Sequence, residues 1–245
     1  MPVKSNQYLI EMPDAQNLVD AVDEWHRSFN NIPEQILHQD TIPREVSGYD
    51  PMHYFSIFPR LIPPSGRVLD HLYVNGANSR PFLYWRTSEA LPHSCLNDLV
   101  NEPGYPGNIQ SAVLEPIRSD GTAEGWLQLV LLRLMVGHAM LRWHANYQRV
   151  TMLCNQQAVR KQLNLHSQYT IAEPLTPQTI QNALNQDIIP RVDLSHHEAA
   201  RVYITRFTLW GGYFRQTWIM QRQGPHGLRL EGDVCTVPYH CGFVF

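Results

Sequence analysis

Arg133, Gly137 and His144 recur at helical spacing inside the longest apolar stretch of the chain, Thr122 to Tyr147 (TAEGWLQLVLLRLMVGHAMLRWHANY). At 100° per residue they share a face with Trp126, Leu129, Val130, Val136 and Met140. A guanidinium on an apolar face has to be paired. One partner is the anionic end of a ligand, with His144 farther along the same groove. Arg133 and His144 are about 16 Å apart along a helix, so they would bracket an elongated molecule rather than clamp a small group. The structural alternative is a protein carboxylate for Arg133. Gly137 costs about 1 kcal/mol in a helix interior relative to Ala, and such a glycine ordinarily lets a neighbouring element or a ligand approach closely.

A second constellation is Arg206 and Arg215, interleaved with Trp210 and Tyr213. Arginines among aromatics on a sheet face can stack on bases or hold anions. The plainer reading is a solvated or helix-covered sheet face. Ser195-His196-His197-Glu198 holds metal-ligand residue types. Adjacent histidines on one helical turn diverge, however, and Ser195 with Glu198 fits a capping box. Cys235, His240 and Cys241 lack the four-ligand spacing of a structural zinc site. No metal site is therefore expected, and the four cysteines read as free thiols. Asp70 and His71 alternate across a strand and point to opposite faces, so any partner of either lies elsewhere.

These residues need elements to position them. Thr122 to Tyr147 predicts one continuous buried helix. Asp14 caps an amphipathic helix carrying Leu18, Val22, Trp25 and Phe29 to about Asn30. Arg67–Val74 and Pro81–Arg86 alternate around Asn75-Gly76, which predicts a hairpin. Arg201 to Arg222 predicts a second, turning at Gly211-Gly212 in a two-residue type I′ turn that pairs Trp210 with Tyr213 and Leu209 with Phe214. That register puts Arg206 and Arg215 on one face. Gly227 to Val237 adds a third strand. Val150–Cys154 reads as a strand, Asn155 caps a helix through Leu163, and Thr176-Pro177 opens another to about Asp187. Residues 31–66 and 87–121 are Pro-rich and read as ordered loops, because they carry too many aromatics for a linker.

Helices and hairpins mix without βαβ alternation, so the expected fold is α+β: a single domain over 1–245, with an antiparallel sheet of two hairpins around a long buried central helix. The net charge of −3 argues against a general nucleic-acid binder. No membrane-length apolar run and no export signal are present, which makes the expected location cytoplasmic. No nucleotide, metalloprotease or nucleophile-elbow motif occurs, and no cofactor is implied. The function expected from these residues is binding of a small anionic or elongated ligand in an arginine-bearing pocket beside the central helix, with catalysis left open. The alternatives are a non-catalytic interaction protein, including a homo-oligomer, and an RNA-binding module using the Arg206/Arg215 face.

Overall fold

The computed structural model describes residues 8–29, 41–42, 48–74, 80–101, 113–139, 141, 149–166 and 173–239. In chain order the elements are β1 (Leu9–Glu11), α1 (Ala15–Arg27), β2 (Thr41–Ile42), a 3-10 turn (Pro51–His53), α2 (Tyr54–Ile57), β3 (Leu61–Ile62), β4 (Arg67–Val74) and β5 (Arg80–Thr87). Next come α3 (Leu96–Val100), β6 (Arg118–Ser119), α4 (Ala123–Met135), β7 (Thr151–Leu153), α5 (Gln156–His166), α6 (Pro177–Leu184), β8 (Arg191–Asp193), β9 (Ala199–Thr208), β10 (Gly212–Gln221) and β11 (Arg229–Pro238). The protein is α+β, and its strand pairs are antiparallel. No helix among the described residues is long and apolar enough to cross a membrane. The chain folds into two compact units, where the sequence suggested one domain. The two expected hairpins belong to different sheets, one in each unit, and not to a single sheet.

The first unit comprises residues up to Val19, Val150–Gln223 and the segment from Gly227 on. Its sheet runs β1-β8-β9-β10-β11, with β7 also paired to β9. The β9–β10 hairpin differs from the expected one. Gly212 faces Thr208 and Phe214 faces Arg206, so the loop is Leu209-Trp210-Gly211. Gly211 N–H reaches Thr208 O at 3.5 Å, and Gly212 follows at φ +91°. This is the three-residue hairpin built on a turn plus one left-handed residue, not the two-residue type I′ form. The shift from the expected pairing is three residues, an odd number, so the side chains of β10 change faces relative to β9.

One face of this sheet, at the hairpin end, carries Phe207 and Tyr213 under α5 and α6, with Leu153, Val159, Leu163, Ala183 and Ile188 completing a core. Both covering helices start where the sequence marks them. Asn155 Oδ1 accepts Ala158 N–H at 2.8 Å, and Thr176 Oγ1 accepts Thr179 N–H at 3.1 Å with Pro177 at the first position. The expected capping box at Ser195 does not form. His196–Glu198 is a bend that leads straight into β9, and Ser195 N–H goes to Asp193 Oδ1 at 2.8 Å. The strand-period alternation that follows Glu198 outweighs the local cap signal.

The second unit holds Asp20–Arg149 and Gly224–His226. Its three-stranded sheet is β2-β4-β5, and α3 packs Leu99 against Leu72 and Tyr84. Asp70 is fully buried and finds its partner across the hairpin, where Arg86 Nε donates to its carboxylate; His71 N–H adds a bond at 2.8 Å. Thr122 Oγ1 caps α4 by accepting Gly125 N–H at 3.1 Å. The helix is buried around most of its circumference, from Trp126 through Leu132. Gln128 is fully buried and satisfied. Its Oε1 accepts Arg60 N–H at 2.8 Å and its Nε2 donates to Glu124 at 3.1 Å.

The helix stops at Met135, so the continuous helix expected to Tyr147 is not found; residues 142–147 lie outside the described residues. After Val136 N–H bonds to Leu132 O at 2.8 Å, the next bond is a three-residue step, His138 N–H to Met135 O at 2.9 Å, and the regular helix ends. Val136 O accepts the Tyr54 hydroxyl at 3.3 Å. Gly137 sits in the turn that follows, and a Cβ built on it would meet nothing within 4 Å. The close approach expected at Gly137 is therefore absent. Gly137→Ala should be neutral or stabilising by up to about 1 kcal/mol. A measured loss of more than that in urea unfolding would show that the residue is needed as glycine.

Candidate functional site

The expected site residues separate. Arg206 and Arg215 stand on opposite faces of the first unit's sheet, because Phe214 faces Arg206 while Arg215 faces Thr205. The shared arginine–aromatic face expected from the type I′ register is not formed. Arg206 lies over the Phe214 ring at 4.5 Å and pairs with Asp233 at 2.7 Å. Tyr213 is fully buried in the core under α5 and α6. Arg133 is half-buried in the last turn of α4, where a cation is favoured by the helix dipole, and burial lowers its pKa. Arg133 and Gly137 belong to the second unit. His144, like His240 and Cys241, lies outside the described residues. Cys95, Cys154 and Cys235 are free thiols, and the described residues contain no group of three or more metal-ligating side chains.

Arg215 does line a pocket. A cavity of about 400 Å³ opens on its face of the first unit's sheet, beyond the end covered by α5 and α6. Its floor is Tyr203, with Tyr8 and Leu9 at the β1 side and Arg191, Asp193 and Ser195 along β8. The strands explain the grouping. Glu11 pairs with Arg191, Arg191 with Tyr203 and Tyr203 with Thr217, so these side chains form one row across four strands. Leu9, Asp193 and Arg201 form the row beside it.

The two arginines differ in how they are held. Arg191 is clamped by carboxylates: its Nε and Nη2 give hydrogen bonds to Glu11 Oε1 at 3.1 and 2.8 Å, and Nη1 and Nη2 both reach Asp187. Its charge is spent on the fold, and this pairing holds the Asp187 carboxyl below its ordinary pKa. Arg215 is held by neutral oxygens. Nη1 donates to Asp187 O at 3.2 Å and Thr205 Oγ1 at 3.1 Å, and Nη2 donates to Ile189 O at 3.3 Å. Burial pulls its pKa down, with the charge of Asp187 acting against that from a distance. It makes no ion pair among the described residues. The outcome is an oriented, half-buried guanidinium whose Nε–H and second Nη2–H are not used by these bonds.

Sequence reasoning reached Arg215 but missed its companions. The one signal available was Pro190-Arg191-Val192-Asp193, where charges alternate around a valine, as on a short strand with one polar face. No family model, curated protein or solved structure matches this chain.

Proposed function

We propose that this protein binds a small ligand with an anionic end in the sheet pocket of its first unit, with Arg215 as the anchor. One observation carries this: Arg215 is desolvated and fixed in direction, yet among the described residues only neutral acceptors hold it. A bound carboxylate or phosphate would supply the missing counter-charge through a charge-assisted hydrogen bond. The pocket volume falls in the range of small-molecule sites. The reading concerns binding and assigns no reaction.

Arg215→Met keeps an unbranched apolar stem in place of the arginine's and removes its charge. It is expected to weaken binding of a simple probe such as hexanoate at least tenfold by titration calorimetry, with the far-UV spectrum unchanged. Unaltered affinity in a folded variant would move the ligand away from Arg215.

A second reading, as an interaction protein, has its own support in β11. This ten-residue strand ends the sheet, is exposed along most of its length and shows Leu230 and Val234 to solvent. Such an edge can accept an added strand. Register shifts after Tyr213 and Thr217 limit the regular run to Gly232–Cys235, so pairing there would be short. A molecular mass that stays monomeric up to millimolar concentration would count against self-association at this edge.

A further inference from the structure

We infer that the ligand of this pocket is an elongated zwitterion of short-peptide size, with its carboxylate at Arg215 and its ammonium group at Asp193. This rests on the sheet-pocket reading above and adds the second end of the ligand.

The charge balance of the pocket points beyond a simple anion. The lining carries Arg191, Arg215 and Asp193, and Arg191 is already neutralised by Glu11 and Asp187, which stand outside the lining. A ligand that brought only negative charge would answer Arg215 and leave Asp193 without a counter-charge. Glu11 and Asp187 are both engaged by Arg191. Asp193 is the acid left over. Its Oδ1 takes Ser195 N–H at 2.8 Å, and it makes no ion pair among the described residues. Its cross-strand neighbour Arg201 turns its Nε to Glu231 at 3.0 Å instead. Burial opposes ionisation of Asp193. The Ser195 hydroxyl and backbone N–H, with His196 and Arg201 nearby, outweigh that and hold the carboxyl below its ordinary pKa. The pocket thus has one cation and one anion without ionic partners, and both line the same cavity.

Their separation sets the ligand's length. Asp193 faces Arg201, which faces Ile219, four residues from Arg215 along β10. Two strand spacings and four residues give a Cα separation of about 17 Å. Arg215 leans toward the β8 side, where its Nη2 reaches Ile189 O, four residues before Asp193, which leaves the charged groups on the order of 10 Å apart. A single α-amino acid is too short to touch both. Each peptide residue spans at most about 3.3–3.6 Å, so three residues bridge the gap. Tyr203, on the floor between them, offers a ring face and a hydroxyl to the middle of such a ligand.

The test is titration calorimetry of the whole protein with trialanine, N-acetyl-trialanine, trialanine amide and hexanoate. Free trialanine is expected to bind at least tenfold more tightly than its N-acetylated or amidated forms. Asp193→Asn keeps the oxygen that Ser195 N–H needs, and should erase the difference between free and acetylated peptide. Arg215→Met should weaken both. If free and acetylated peptides bind wild-type protein equally and Arg215→Met weakens both, the zwitterion inference falls while the anion pocket stands. If hexanoate and all three peptides fail to bind at millimolar concentration, both fall. The wild-type comparison decides the matter even if a variant does not fold.

Discussion

Gly212→Ala is expected to destabilise the protein by about 2–4 kcal/mol, and Gly211→Ala by clearly less. Gly212 has φ +91°, a conformation that costs a side-chain-bearing residue about 1 kcal/mol. A Cβ there would lie 2.2 Å from Val237 O and 2.6 Å from Tyr239 N. Both are backbone atoms of β11 and its exit, and Tyr239 N–H is bonded to Gly211 O at 3.3 Å. The β10–β11 ladder would have to move. At Gly211 a Cβ would meet the Phe214 ring edge at 2.6 Å, and the far end of a side chain yields more easily than backbone. A two-residue type I′ turn would need positive φ at both glycines and would predict comparable losses. Urea midpoints for the two variants separate the cases, and equal losses would restore the two-residue turn.

Stability is expected to fall by about 3 kcal/mol between pH 6.5 and pH 5, before most carboxylates begin to protonate. Burial lowers His26 to about 3, helped by the charges of His138 and Arg149. Burial, with Arg149, lowers His138 to about 4. The unfolded chain takes up a proton on each below about 6.5, whereas the folded protein refuses it until far lower pH. The unfolded state therefore binds more protons, and stability rises with pH. The contribution is complete roughly one unit above pH 6.5 and is lost as pH falls toward the folded values, approaching about 1.4 kcal/mol per unit for each histidine.

The geometry around His26 agrees with a neutral ring. Its Nε2 lies 2.7 Å from Tyr54 Oη, which also receives the Tyr49 hydroxyl at 3.2 Å. Tyr54 passes its own proton to Val136 O. Nδ1 is buried with no hydrogen-bond partner, so a proton there would be an orphan in the core. Urea unfolding from pH 5 to pH 7.5 measures the slope. His26→Gln, which cannot titrate, should remove about half of it. A flat profile in the wild-type protein would mean that these rings are already solvated or protonated.

Local signals were legible in the sequence wherever a few neighbouring residues decide the structure. The caps at Asn155 and Thr176 each satisfy an orphan N–H three residues away. The alternation of β4, β9 and β10 is the period of a strand and needs no partner to be recognised. The α+β class follows from those elements, and Arg215 was reached from its strand pattern.

What the sequence could not supply was every quantity set by a residue far along the chain. The Val136 carbonyl, just past α4, takes the hydroxyl of Tyr54, 82 positions earlier. β11 closes over Gly212 and leaves no room for a Cβ there, and an odd-numbered shift in the β9–β10 register was enough to split Arg206 from Arg215. The pocket joins Tyr8 and Leu9 to residues more than 180 positions later, through the pairing of β1 with β8. Propensity and periodicity act over a turn or a strand. The choice of which carboxylate neutralises Arg191, and which oxygens hold Arg215, is made only when distant strands meet.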